Sequence, residues 1–160
     1  VYKRQDYAQL SGNEIVLDTY CGIGTIGLYM APVAKHVYGV EIVPSAIQDA
    51  KQNALINHFD NTTFECGKAE EVIIEWKQKG IEPDVIMVDP PRKGCDQVFI
   101  ETLLELAPKR IIYISCNPST QQRDAQLLAN LYYLKEITPV DMFPHTTHIE
   151  TVALFERKTL

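Results

Sequence analysis

The sequence predicts an α/β fold around a largely parallel sheet, and three observations carry that expectation. Short β-branched apolar runs alternate with helix-like segments along the chain. A glycine-rich turn follows the first of these runs. The run Asp84-Val-Ile-Met-Val-Asp89 is apolar almost without interruption, as a strand covered on both faces by helices must be. The 160 residues are 46% hydrophobic, enough to bury the core of one compact domain, and no repeat, low-complexity tract or linker divides them.

The elements follow in order. Glu14–Asp18 reads as a buried first strand, and the glycine-rich turn after it opens a helix from about Thr25 to Ala34. His36–Glu41 is the second strand. Pro44 suits the first turn of a helix running to about Asn57, with Ala46, Ile47, Ala50, Ala54 and Leu55 on one face. Thr62–Glu65 is a short third strand, and a helix over Ala69–Lys79 stops near Gly80. Pro90 and Pro91 end the fourth strand at Asp89. A helix over Gln97–Leu106 leads to a fifth strand, Arg110–Ser115, and Pro118 or Ser119 opens a helix to about Leu131. Leu134–Val140 and Ile149–Arg157 are late strands whose short connection suits an antiparallel pair.

Composition excludes several classes. The apolar run Ile23–Val33 is broken by Gly24, Gly27 and Pro32 and falls short of the roughly 18 to 20 residues of a membrane span, so a soluble, cytoplasmic protein is expected. Cys21, Cys66, Cys95 and Cys116 stand singly, without a C-x-x-C pair, which suggests neither a disulfide framework nor a metal site. A net charge of −6 sits awkwardly with nucleic-acid binding, where lysine and arginine clusters dominate affinity. Any basic surface is therefore local or lies elsewhere.

Asp18-Thr-Tyr20-Cys-Gly22-Ile-Gly24-Thr25, with Glu41 about 20 residues on, has the grammar of a nucleotide site. Glycines let backbone approach a ligand, and a carboxylate ending the second strand accepts ribose hydroxyls. A dinucleotide site uses the same grammar, but an acid at Asp18 repels pyrophosphate and suits the cationic methionyl end of S-adenosylmethionine. Asp89-Pro-Pro-Arg92 ends the fourth strand, where the ligand crevice of an open parallel sheet lies. It is similar to the [DN]-P-P-aromatic motif of amino-methyltransferases, but Arg92 replaces the aromatic and argues against methylation of an exocyclic nitrogen. Ser115-Cys116-Asn117-Pro118-Ser119-Thr120, with Arg123-Asp124, places a cysteine in the turn that opens a helix, where the helix dipole favours a thiolate. A lone strand-end cysteine is more often a small buried hydrophobe.

Together, Asp89-Pro-Pro-Arg-Lys-Gly94, Ser115-Cys-Asn-Pro118 with Arg123-Asp124, and Asp141-Met-Phe-Pro-His145-Thr-Thr-His148-Ile-Glu150 resemble the bacterial RNA uracil-5-methyltransferase family, most closely its 23S ribosomal RNA branch. The likeness runs from about Tyr7 to Lys158 and leaves Val1–Gln5 unmatched. It implies a Rossmann-like class I methyltransferase fold: a three-layer sandwich with a mostly parallel seven-stranded sheet and an antiparallel last strand. It implies Cys116 as nucleophile, Glu150 as general base, S-adenosylmethionine as cofactor, and Tyr20, Glu41 and Asp89 as its contacts, with Asp18, Gly22, Gly24 and Thr25 lining the same pocket. The implied partner is RNA, ribosomal more than transfer RNA. No metal and no membrane are implied, and the chain is expected to be a monomer.

The chemistry explains those residue types. Carbon 5 of uracil is a poor nucleophile until a thiolate adds to carbon 6, and a base must later take the carbon-5 proton so that the adduct collapses. A uridine in structured RNA must leave its stack to reach Cys116. His145 and His148 are read as structural turn residues, whereas Arg92 and Arg123 are open between RNA contacts and local ion pairs. The family's upstream F-x-Q-x-N segment and its RNA-binding barrel are not found here. Residues 1–160 are therefore expected to be a catalytic domain truncated at its N-terminus, folded but weak in binding cofactor and RNA. A cytosine-5 methyltransferase needs a second cysteine beside the fourth-strand motif; Cys95 is displaced from that place and reads as structural. A non-catalytic module and a nicotinamide oxidoreductase are both disfavoured by Cys116 and Glu150.

Overall fold

A computed structural model describes residues 2–159; Val1 and Leu160 of the domain expected over 1–160 lie outside the described residues. Seven strands, β1 (Ile15–Thr19), β2 (His36–Glu41), β3 (Thr62–Cys66), β4 (Val85–Val88), β5 (Arg110–Ser115), β6 (Tyr132–Val140) and β7 (Glu150–Arg157), form one sheet in the order β3-β2-β1-β4-β5-β7-β6. β1 to β5 pair in parallel, and β7 runs antiparallel to both β5 and β6. Only β7 is therefore reversed, as the sequence motifs imply.

Six helices cover the sheet: α1 (Tyr2–Ala8), α2 (Thr25–Met30), α3 (Pro44–Ile56), α4 (Ala69–Gln78), α5 (Gln97–Leu106) and α6 (Pro118–Leu128). The period of two along each strand decides which layer a side chain joins. Leu17, Ile86, Val88, Ile111, Tyr113, Ala153 and Phe155 pack against α4, α5 and α6 through Trp76, Phe99, Leu103 and Leu128. Their alternates, Val16, Val85, Met87, Ile112, Ile114, Val152 and Leu154, pack against α1 and α2 through Tyr7, Ala8, Ile26 and Met30. On that same side α3 seats Ile47, Ala50 and Ala54 around Phe64.

Differences from expectation lie at element ends. α2 stops at Met30 and continues as a 3₁₀ turn, Ala31–Val33, because Pro32 has no N–H to extend an α-helix. β6 begins at Tyr132, whose buried ring donates its hydroxyl to the Pro108 carbonyl at 2.9 Å, and α6 ends earlier to release it. α1 was not anticipated, since seven residues are too few to show a helical period. It holds by tertiary contacts instead: Tyr7 is buried with its hydroxyl 2.7 Å from Thr138 Oγ1, and Lys3 Nζ lies 2.9 Å from Glu136.

Candidate active site

The strand order reverses between β1 and β4, and a crevice opens outside their carboxyl ends. Asp18 and Tyr20 stand at the end of β1, Asp89 follows β4, and Glu41 ends β2. Thr19 Oγ1 donates to the Met87 carbonyl at 2.8 Å and ties the two central strand ends together.

Glu41 is held by backbone. Its Oε2 accepts the Gly22 N–H at 3.2 Å and its Oε1 the Val43 N–H at 3.1 Å. Each oxygen keeps further acceptor capacity, and two fixed oxygens with free lone pairs are what vicinal hydroxyls need. Tyr20 adopts a left-handed backbone, φ 61°, and packs its ring 5.5 Å from that of Phe99. Such strain in a bulky residue concentrates where a loop is shaped for function. Burial pushes the Tyr20 phenol pKa upward and keeps it neutral. A cleft of about 310 Å³ lies between Tyr20, Glu41, Lys68, Glu70, Pro91 and Lys93.

The two turn glycines do different work. Gly22, at φ 55°, would aim a side chain into open space, so its backbone is available to a ligand. A Cβ at Gly24 would stand 3.0 Å from Phe64, so that glycine serves helix packing. Thr25 is exposed and borders a separate depression with Tyr29, Asn53 and Phe59, away from the Glu41 cleft.

Asp18 stands one residue before the end of β1. It is fully buried, its Oδ2 accepts the Gly27 N–H at 2.7 Å, and its Oδ1 has no partner among the described residues. Burial, reinforced by the Asp89 carboxylate, lifts its pKa to about 7. Asp89 is half-buried and is raised by desolvation as well; Arg4 on α1 partly offsets both shifts. Two carboxylates in a partly desolvated place favour a cation.

Across the sheet, Cys116 directly follows β5 and Glu150 opens β7. The β5–β7 ladder pairs Arg110 with Glu156 and ends with Ser115 opposite Thr151, the chain neighbours of Cys116 and Glu150. Opposed residues share a face. Within the strands, Ile112, Ile114 and Val152 share a face with Val16, two residues before Asp18, and with Met87, two residues before Asp89. Cys116 and Glu150 are both half-buried. Asn117 caps α6 by accepting the Ser119 N–H at 3.2 Å, and Ser115 Oγ donates to the Asn117 carbonyl at 2.9 Å, which fixes the turn holding Cys116. The connecting residues 141–149 are exposed throughout, with Phe143 and His148 edge-to-face at 6.4 Å.

Cys95 is buried, with its Sγ 3.6 Å from the Tyr113 hydroxyl. Arg123 is engaged locally, by the Asp124 carboxylate and the Cys95 carbonyl, whereas the Arg92 side chain is exposed and has no hydrogen bond or ion pair among the described residues. Lys68, Glu70 and Lys93 escaped the sequence reading. Only their position after the third and fourth strands marked them.

The tRNA (uracil-5-)-methyltransferase family matches residues 6–158. The chain belongs to that family. An uncharacterized RNA methyltransferase of Staphylococcus aureus (strain COL) is 76% identical over 156 residues, covering 98% of this chain and 34% of the relative. A similarly named protein of Staphylococcus epidermidis (strain ATCC 12228) is 77% identical over 153 residues. The chain thus spans about a third of the length of these relatives. Among solved structures, the Pyrococcus abyssi tRNA (uracil-54, C5)-methyltransferase in complex with S-adenosyl-L-homocysteine has a TM-score of 0.83 and 37% identity, over 97% of this chain and 37% of that one. An rRNA methylase from Streptococcus thermophilus, TM-score 0.78 and 11% identity, shares the fold. Family and fold agree with the resemblance read from the motifs. No helix among the described residues is long and apolar enough to cross a membrane.

Proposed function

We propose that this chain is the catalytic part of an enzyme that methylates carbon 5 of a uridine in RNA, with S-adenosylmethionine as methyl donor and Cys116 as covalent nucleophile. The observation that supports the reading is the register of β5 and β7, whose last pair, Ser115 opposite Thr151, adjoins Cys116 and Glu150.

The residues of the crevice fit the donor. Glu41 would accept its ribose hydroxyls, the Gly22 backbone and Tyr20 would border it, and Asp89, together with Asp18, would attract its cationic end. Gly24 and Thr25 act through the turn and α2. When bound, the donor supplies an electrophilic methyl group.

The chain's own groups do the rest. Cys116 thiolate adds to carbon 6 of the ring, and the electron pair of the former double bond passes into the enolate at the carbon-4 carbonyl. With the donor bound, carbon 5 would take the methyl group as its bond to the sulfonium sulfur breaks, leaving S-adenosylhomocysteine. Glu150 removes the remaining carbon-5 proton, the double bond re-forms, and the sulfur leaves as thiolate. We assign the carbon-5 proton to this carboxylate because it opens the strand that pairs with β5.

Motif resemblance favours a uridine of 23S ribosomal RNA, while the Pyrococcus abyssi relative is named for tRNA. Two-thirds of each relative's length lies outside the match, and we assign the choice of RNA to that part. The deciding experiment incubates the full-length protein with S-adenosylmethionine and 5-fluorouridine-containing ribosomal or transfer RNA. Fluorine cannot leave as a cation, so a covalent complex should survive a denaturing gel. Its formation by Cys116→Ala would refute the nucleophile assignment, and its absence with every RNA would refute the reading.

A further inference from the structure

We infer that Arg123 and Asp124 form a positioning latch, which sets the turn carrying Cys116 against the cofactor-side loop Arg92–Asp96; the inference rests on the uracil-methylating reading above.

Asp124 is fully buried on α6. Its Oδ2 accepts the Cys95 N–H at 2.9 Å and the Tyr113 hydroxyl at 2.6 Å, so one oxygen joins the loop after β4 to the middle of β5. Its Oδ1 takes Arg123 Nε at 2.8 Å and Nη2 at 2.6 Å. The same Nη2 reaches the carbonyls of Cys95, at 2.8 Å, and Lys93, at 3.3 Å. One turn earlier on α6, Asn117 Nδ2 and Thr120 Oγ1 both donate to the Arg92 carbonyl, at 3.3 and 3.4 Å. The carbonyls of residues 92, 93 and 95 are therefore all bound by the opening turns of one helix.

Gly94 confirms how tightly the parts meet. Its backbone is left-handed at φ 79°, and a Cβ there would lie 2.7 Å from Arg123 Nη2 and 2.8 Å from Asp124 Oδ2. The latch fills the space that a side chain would take. The other side of the loop, at Pro91, Lys93, Gly94 and Asp96, walls the cleft beside Tyr20 and Glu41. Cys116 stands one residue before the α6 cap. The cleft wall and the nucleophile are thus two surfaces of one hydrogen-bonded body.

Why a buried carboxylate here? Taking a carboxylate out of water is costly, and an apolar contact between loop and helix would hold them together as well. Directional bonds do something an apolar contact does not: they fix distance and angle, and about 1 Å of misplacement costs on the order of 100-fold in rate. Neither residue is assigned contact with the reacting atoms.

The test uses the full-length protein. Arg123 is half-exposed, so Arg123→Ala should fold, leaving Asp124 its bonds to Cys95 and Tyr113. Three quantities are measured per folded molecule below the melting temperature: the rate of adduct formation with 5-fluorouridine RNA, kcat, and the dissociation constant of S-adenosylhomocysteine. A latch predicts that adduct rate and kcat fall together by about 10- to 100-fold, while the dissociation constant stays within about threefold because Glu41 and Tyr20 hold the ligand. Arg123→Lys should recover only part of the rate, since an ammonium restores the charge but cannot span Asp124 and two carbonyls. An adduct rate equal to wild type in Arg123→Ala, or full rescue by lysine, overturns the latch. A wild-type protein that forms no adduct overturns the uracil reading and the latch with it, a failure recognisable because it does not depend on position 123.

Discussion

On the rim formed by β1, β2 and β4, the residues proposed to hold the donor are already fixed by backbone: Glu41 between two N–H donors, Tyr20 in a left-handed turn, Asp18 bonded to the Gly27 N–H. The rim formed by β5 and β7 is different. Cys116 and Glu150 are half-buried, and they border an exposed stretch, residues 141–149, that includes Met142 at 61% and Phe143 at 50% exposure. The contrast matches the two ligands proposed. A small donor is held by a preformed cleft, whereas a nucleotide within a large RNA needs an open approach and a thiol it can reach.

Substitutions at the two rims should therefore separate cleanly, and the largest effect belongs to the open one. Cys116→Ser should lower kcat by three or more orders of magnitude while S-adenosylhomocysteine affinity, read by calorimetry, stays unchanged. An affinity loss would show that the rims are not independent. Glu150→Gln should reduce turnover by about 10²- to 10⁴-fold. Because the nucleophile survives, covalent protein–RNA complex should accumulate on ordinary uridine RNA, visible on a denaturing gel. On the closed rim, Glu41→Ala removes acceptors for both the ligand and two backbone N–H groups, and should weaken S-adenosylhomocysteine by about 10- to 100-fold.

Asp18 sharpens the comparison through pH. Its folded-state pKa of about 7 lies above its ordinary value of 3.8, so the folded state binds the proton more tightly. Stability from this group is fully present below about pH 4 and is lost as pH rises towards about 7. Asp18→Asn should thus stabilise the ligand-free protein by a few kcal/mol at pH 8 and by almost nothing at pH 4, measured by denaturant titration. Equal effects at both pH values would mean that burial does not perturb Asp18. The smallest effect on folding should come from Phe143→Ala, within about 0.5 kcal/mol of wild type, with KM for RNA rising several-fold if the exposed loop meets bases.

Much of the fold was legible because its strands are nearly uninterrupted apolar runs and its turns carry Gly or Pro: β1, β2, β4 and β5 fall within a residue of expectation. The strand-end placement of Asp18, Glu41, Asp89 and Cys116 could be read as well, because sequence position predicts it. What escaped depends on partners distant in sequence. α1 is held by packing on the sheet and by Tyr7 and Lys3 meeting β6 some 130 residues later, and Lys68 and Lys93 join one cleft only once β3 and β4 are in place. Arg123 stood undecided between RNA and a local carboxylate, because nothing in a linear string shows that its guanidinium reaches back to the carbonyls of Lys93 and Cys95.

β7 threads between β5 and β6 although it follows both in the chain. During synthesis the ribosome releases the thiol of Cys116 some 34 residues before the carboxylate of Glu150, and β6 cannot join the sheet until β7 has paired on both sides. A nascent chain therefore carries the proposed nucleophile without its proposed base. The proposed pair is completed only when β7 joins β5, a long-range pairing of the kind that forms slowly.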